Sequence, residues 1–185
     1  MYEFKSTFLP GVFVITPARF NDDRGYLFES FNKAELKKII GIDFDISQEN
    51  SILNVKKGVI RGLHFQKGPF EQVKIVRCIL GEVDDVAVDI RKGSQTYGKW
   101  FMTRLTAENR NQLVIPKGFA HGVISRTEVS AISYISDIPW HPEADMSIRY
   151  DDPTINIDWK EDNPVLSEKD LKAPFLSEIQ FDFER

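Results

Sequence analysis

Five polar side chains stand in stretches apolar enough to be core. "GVIRGLHFQ", residues 58–66, carries Arg61 and His64 among Val59, Ile60, Leu63 and Phe65. "QVKIVRC" adds Lys74, "VSAISYIS" adds Tyr134, and "IPKGFAHG" adds His121, where Pro116 and Gly118 mark a tight turn that the histidine follows. A guanidinium, an ammonium, an imidazole or a phenol in a buried strand is costly unless it is paired or used. Taken singly, each has a bland reading: the arginine points to solvent, the tyrosine packs, and His121 reads equally as a satisfied core histidine and as a site residue. Arg61, His64, Lys74 and Tyr134, four such groups in the apolar strands of one small protein, tilt the balance towards a pocket. Arginine and lysine would hold an anion or a developing oxyanion, and histidine and tyrosine would move protons beside it.

These side chains need strands to position them, and short strands dominate the chain. "GVFVIT", "GYLFESF", "GVIRGLHF", "VKIVRCILG", "EVDDVAVDI", "KWFMTRLT", "NQLVIP", "GFAHGVIS" and "VSAISYIS" are each bounded by Gly, Pro, Asn, Asp or Lys. "DVAVDI" alternates, with Val86 and Val88 on one face and Asp85, Ala87 and Asp89 on the other. In a regular strand Arg61 and His64 would face opposite ways; a bend at Gly62 brings both to one site, since glycine in a strand often marks a bulge. One helix is predicted at "KAELKKII", with Leu36, Ile39 and Ile40 on one face, and a short one at "LSEKDLK", with Ser167 as N-cap and Asp170 at the third helical position. Such a series of short strands predicts an all-β sandwich or barrel with antiparallel sheets and a few short peripheral helices. The expected organisation is a single domain over 1–185, with a barrel core over about 10–136 and an irregular or helical segment, rich in Pro, Asp and Trp, over 137–185.

At 185 residues the chain is long enough to bury about 70% of its unfolded surface without staples. A formal net charge of −4 argues against general nucleic-acid binding but leaves room for a local basic pocket. Cys78 is the single cysteine, so no intrachain disulfide can form and a reducing compartment is expected. "MYEFKSTFLPGVFVIT" does not read as a signal peptide, and no apolar run approaches the roughly 20 residues of a membrane span. The expectation is a cytoplasmic protein.

The Pro-x-Gly-x-x-His turn at Pro116–His121 resembles the second motif of the cupin superfamily of jelly-roll barrels. In metal cupins that histidine is a ligand, and a His-x-His pair and a glutamate come from a neighbouring strand. Here that strand offers His64, with Gln66 where the second histidine would be. Two histidines without a third ligand make a poor transition-metal site, so the expected barrel is cupin-like and metal-free.

"DDRGYLFESFN", "GVIRGLHFQ", "KIVRCILGEVDDVAVDIRKGSQTYGKW", "LTAENRNQLVIPKGFAHGV", "DDPTINIDW" and "PVLSEKDLKAPFL" follow one another in that order. Together they resemble the dTDP-4-dehydrorhamnose 3,5-epimerase family over about residues 10–176. The resemblance implies a jelly-roll homodimer that uses no metal or organic cofactor and acts on a nucleotide sugar, a nucleoside-diphosphate 4-keto-6-deoxyhexose. It implies His64 as the base, Asp170 as the carboxylate orienting it, Tyr134 as the acid on the other face, and Lys74 at the C4 oxyanion. It also implies Arg61 on the diphosphate and His121 near the sugar. Arg24, Glu29, Gln48 and Asn50 fall at substrate- and nucleotide-binding positions, part of that site coming from the partner subunit. Trp140 takes the place of a substrate-facing aromatic, commonly Tyr. Val73 replaces the usual Gly before the lysine, and Asp84 replaces an apolar or aromatic residue. A relative inverting only C3 or C5, or using another nucleotide sugar, would keep His64 and Tyr134. A non-catalytic sugar-binding cupin would need neither. A ketoisomerase would not be expected to keep the set, and a metal cupin dioxygenase lacks its ligands.

Overall fold

Short runs of β-branched and aromatic residues separated by turn formers leave little choice but antiparallel strands joined by tight connections. The computed structural model describes residues 2–180. Its strands are β1 (Tyr2–Ser6), β2 (Phe13–Pro17), β3 (Arg19–Asp22), β4 (Gly25–Phe28), β5 (Gln48–Asn54), β6 (Ile60–Gln66), β7 (Lys74–Leu80), β8 (Glu82–Asp89), β9 (Trp100–Thr106), β10 (Gln112–Ile115), β11 (Phe119–Ser125), β12 (Ser130–Ser136) and β13 (Asp145–Ser147). One sheet has the order β1-β2-β10-β7-β12-β5, the other β13-β6-β11-β8-β9, and β3-β4 forms a separate hairpin. All the paired strands run antiparallel. The chain is an all-β, cupin-like jelly-roll barrel. The sheets reach beyond the expected core of 10–136, to β1 on one side and β13 on the other, and the last five residues of the expected 137–185 segment lie outside the described residues.

Apolar side chains fill three layers. Val76, Cys78, Ala87, Leu105, Leu113, Phe119, Val123 and Ile132 pack between the sheets. Outside the first sheet, α1 (Lys33–Ile40) lays Leu36 on Ile15, Ile75 and Val114. This helix is capped by Asn32, whose side chain accepts from the Glu35 N–H, and is closed by Gly41 at φ 72°. Outside the second sheet, the C-terminal segment lays Ile148, Ile155, Ile157, Trp159 and Leu176 over Val86, Val88 and Ile124. That is why "DVAVDI" is buried on both faces although it alternates. The segment is tied down by Asp152, whose carboxylate accepts from the N–H groups of Thr154, Ile155 and Leu176.

Two departures from the family pattern resolve at this level. Val73 packs in the layer under α1, on the opposite side of the strand from Lys74, and its N–H donates to Asp137 at 2.8 Å. Asp84 is buried because two arginines claim it: Arg126 Nε donates to it at 2.6 Å and Arg104 bonds its other oxygen. Arg126 then donates to the Trp159 carbonyl at 2.7 Å, so Asp84 indirectly anchors the C-terminal segment. Among the described residues no helix is long and apolar enough to cross a membrane.

Candidate active site

One end of the space between the sheets stays open as a cavity of about 380 Å³ lined by polar side chains. The residue that shapes it most is Gly62. Opposite it, β11 pairs His121 with His64 and Val123 with Arg61, so between these pairs two residues of β6, Gly62 and Leu63, match one of β11, Gly122. The extra residue shifts the alternation: Ile60, Leu63 and Phe65 pack outward, while Arg61, His64 and Gln66 all line the cavity. The bend expected at Gly62 is therefore present. Its φ is 122°, and a Cβ there would lie 2.6 Å from the His121 carbonyl oxygen and 2.7 Å from the Gly122 Cα, so glycine is required.

The two cavity histidines are held alike. His64 Nε2 lies 2.6 Å from Asp170 Oδ1, and His121 Nε2 lies 2.7 Å from Asp85 Oδ1. Asp170 reaches the barrel from α2 (Glu168–Leu171), whose N-cap Ser167 accepts from the Asp170 N–H at 3.1 Å, as the "LSEKD" pattern predicts. Burial alone would raise the Asp170 carboxyl, but the hydrogen bond and charge of His64 hold it below its ordinary value. An imidazole with one nitrogen bound to a fixed carboxylate has a set orientation.

The facing sheet supplies Lys74 and Tyr134, adjacent on β7 and β12, with Lys74 Nζ 5.8 Å from the centre of the Tyr134 ring. Burial pulls the Lys74 ammonium down to about 8, despite the opposing pull of the Asp145 and Asp85 carboxylates. Burial, then the charge of Asp145, pushes the Tyr134 phenol above its ordinary value. The result is a cationic donor and a protonated phenol on the wall opposite the imidazoles. Arg61 is aimed by Asn54, whose buried side-chain oxygen accepts from Nε at 2.8 Å, and by the Leu53 carbonyl at 3.3 Å.

Gln48, Asn50 and Trp140 also line this cavity. Arg24 and Glu29 do not. Arg24 sits in the exposed turn between β3 and β4, paired with Asp22 at 2.6 Å, and Glu29 follows β4. Sequence reasoning missed four groups. Asp145 and Lys169 form a 2.5 Å ion pair at the cavity rim, Asp85 fixes His121, and Gln72 lines the wall. For Asp85 the signal was its place directly before the apolar run Val86–Val88; Lys169 adjoins Asp170; Asp145 and Gln72 carried no sequence signal. Gln66 is engaged by backbone, donating to the Phe70 and Pro139 carbonyls and accepting from the His141 N–H. Among the described residues no three His, Cys, Asp or Glu side chains converge on one point.

A family description, dTDP-4-dehydrorhamnose 3,5-epimerase, matches residues 6–178. The chain is 44% identical over 173 residues to a protein of that name from Salmonella typhimurium, covering 93% of this chain and 94% of the relative. It is 44% identical over 172 residues to another from Methanothermobacter thermautotrophicus, covering 91% of each. A crystal structure of dTDP-6-deoxy-D-glucose-3,5-epimerase from Legionella pneumophila, in complex with dTDP-4-keto-L-rhamnose, superposes with a TM-score of 0.95 over 100% of both chains at 37% identity. A match of this extent, on a barrel with this cavity, places the chain in the dTDP-4-dehydrorhamnose 3,5-epimerase family.

Proposed function

We propose that this protein inverts C3 and C5 of dTDP-4-dehydro-6-deoxy-D-glucose, yielding dTDP-4-dehydro-L-rhamnose. The observation that carries the proposal is the opposition across one cavity of a carboxylate-held imidazole, His64, and a phenol kept protonated, Tyr134. A C4 ketone acidifies the protons on its neighbouring carbons. His64 removes such a proton as base, with Asp170 stabilising the imidazolium. The enolate oxygen at C4 meets the Lys74 ammonium, which touches no carboxylate among the described residues and is free to donate. Tyr134 delivers a proton to the other face. Arg61 and Lys169 hold the diphosphate at the mouth, where a planar guanidinium suits phosphate oxygens. Gln48, Asn50, His121 and Trp140 complete the wall around the sugar and nucleotide.

The assembly belongs to the same proposal. The β3-β4 hairpin carries Phe20, Tyr26 and Leu27 at 60%, 52% and 70% exposure, with Arg24 at its tip. Exposed apolar area of this kind on a projecting hairpin suits burial against a second copy. In a homodimer Arg24 and Glu29 would complete the partner's nucleotide site, which explains why they are far from their own. An active monomer in sedimentation at assay concentration would remove this part.

The decisive experiment is NMR of the 4-keto sugar nucleotide with the protein in deuterated water. Deuterium should enter at C3 and C5 with inversion at both. Tyr134→Phe should still exchange, with configuration retained, while inversion falls about 100-fold or more, the scale of a lost general acid. Equal loss of exchange and inversion would make Tyr134 a donor to the enolate rather than the acid. Exchange at C3 alone would make the protein a C3-epimerase.

A further inference from the structure

Arg61 bridges the two sheets. It leaves β6 in the second sheet, and its hydrogen bonds go to the end of β5 in the first. Nε donates to the Asn54 side-chain oxygen at 2.8 Å, and Nη2 donates to the Leu53 carbonyl at 3.3 Å. Asn54 is 1% exposed, and its Nδ2 donates at 3.2 Å to Oγ of Ser130, a fully buried residue directly opposite it on β12. The nitrogen end of this carboxamide is thus held in the sheet, and the oxygen end faces the guanidinium. The connection from β5 to β6 is pinned too. Ser125 Oγ accepts from the Val59 N–H at 3.0 Å and donates to the Lys56 carbonyl at 2.6 Å, while the Gly58 N–H donates to the Ser125 carbonyl at 3.0 Å.

A guanidinium can grip an anion with two parallel N–H bonds along its side, through Nε and Nη2, or across its end, through Nη1 and Nη2. In Arg61 the side edge is taken by Asn54 and Leu53. We propose that Asn54 is a positioning residue, which occupies the side edge of Arg61 so that the end edge is the one presented to the diphosphate. The inference rests on the epimerase reading above. Asn54 is not among the residues lining the catalytic cavity, so it acts through the arginine. Both acceptors on Arg61 are neutral oxygens. A carboxylate in the place of Asn54 would hold the guanidinium at least as firmly, but it would cancel the charge that the diphosphate needs. Lys169, the other cation assigned to the mouth, already shares its charge with Asp145. Fixing a long side chain before the ligand arrives also removes much of the entropy cost of fixing it on binding.

A double-mutant cycle separates aiming from other effects. Thymidine diphosphate is titrated by calorimetry into the full chain, Asn54→Leu, Arg61→Ala and the double variant. Losing the hydrogen bond that aims Arg61 should weaken binding about tenfold when the arginine is present and less than about twofold once it is gone. In turnover, Asn54→Leu should raise KM by more than it lowers kcat, because the clamp is remote from the reacting carbons; a general loss of fold would lower kcat and the unfolding midpoint together. Asn54→Ser, which keeps a polar group but is too short to reach Arg61, gives a second cycle if Asn54→Leu does not fold. The same fold-loss in both backgrounds would mean that Asn54 acts independently of Arg61, and no loss in either would make the aim of Arg61 irrelevant to binding; both results overturn the inference. Failure of the wild type to bind thymidine diphosphate would instead overturn the epimerase reading, and this inference with it.

Discussion

The two histidine–aspartate pairs share a contact and differ in everything around it. In both, Nε2 meets a buried carboxylate at 2.6–2.7 Å, and the two histidines face each other in register on β6 and β11. Asp85 belongs to the barrel wall, fully buried on β8 between β11 and β9, and its second oxygen finds no hydrogen-bond partner among the described residues. Asp170 comes from a four-residue helix in the C-terminal segment, 106 residues from His64 in sequence. The His64 side chain keeps 33% of its surface exposed and that of His121 10%. A pair sealed into a sheet is suited to hold shape, and a pair assembled from two separate parts, with its imidazole open to the cavity, is suited to take up and release a proton. The identity of a dyad therefore says less than where its carboxylate comes from.

That contrast can be broken by experiment, beginning with the largest effect. His64→Asn should abolish deuterium exchange and inversion together, a loss of about 10²–10⁴-fold, because no enolate forms. His121→Asn should slow turnover by no more than about tenfold, the scale of one lost hydrogen bond. Comparable losses in the two variants, read by NMR in deuterated water, would make both imidazoles bases. Next, Asp170→Asn should lower kcat about 100-fold or more by fixing the wrong tautomer of His64, with little change in the denaturation midpoint.

The opposing wall gives a pH signature of intermediate size. Lys74 must be charged to meet the oxyanion, so kcat/KM should fall about tenfold per pH unit above about 8. The effect on stability has the opposite sign. The Lys74 amine holds its proton to about 8 in the fold and to 10.5 when unfolded, so between those values the unfolded chain binds more protons. Its contribution to stability therefore rises with pH across that window while activity falls. A kcat/KM profile flat to pH 10 would deny Lys74 its role. The smallest effect is expected from Asp85→Asn, which should cost about 1–3 kcal/mol of stability in denaturant titration and less in rate than Asp170→Asn. If Asp85→Asn were the slower enzyme and Asp170→Asn the less stable one, the division drawn between the pairs would be reversed.

Much of this was legible because it is local. "GVIRGLHFQ" shows apolar and polar residues out of phase, with a glycine where the phase breaks, and "LSEKD" spells a capped turn. Both helices lie where their spacing puts them. What escaped reading depends on contacts far apart in the chain. β5 is a strand of the barrel, but both its faces are polar at one end, because Gln48 and Asn50 meet the cavity and Glu49 and Ser51 face outward. No amphipathic signal survives there. Asp145 acquires its role only through Lys169, 24 residues on, and Asp85 only through His121, 36 residues on. The burial of Asp84 looks anomalous until Arg104 and Arg126 are seen around it.

Gly62 has a consequence for what sets the span of the site. With the glycine left out, Ile60, Arg61, Leu63, His64, Phe65 and Gln66 alternate without fault between outward and inward. The glycine is thus an insertion that the ladder absorbs: Arg61 and His64 stay opposite Val123 and His121, two residues apart on β11, and both still point into the cavity. The distance from anion clamp to base is therefore gauged by β11 rather than by the residue count of β6. What the extra residue changes is the path of the backbone, which has to bulge at a position that admits no Cβ.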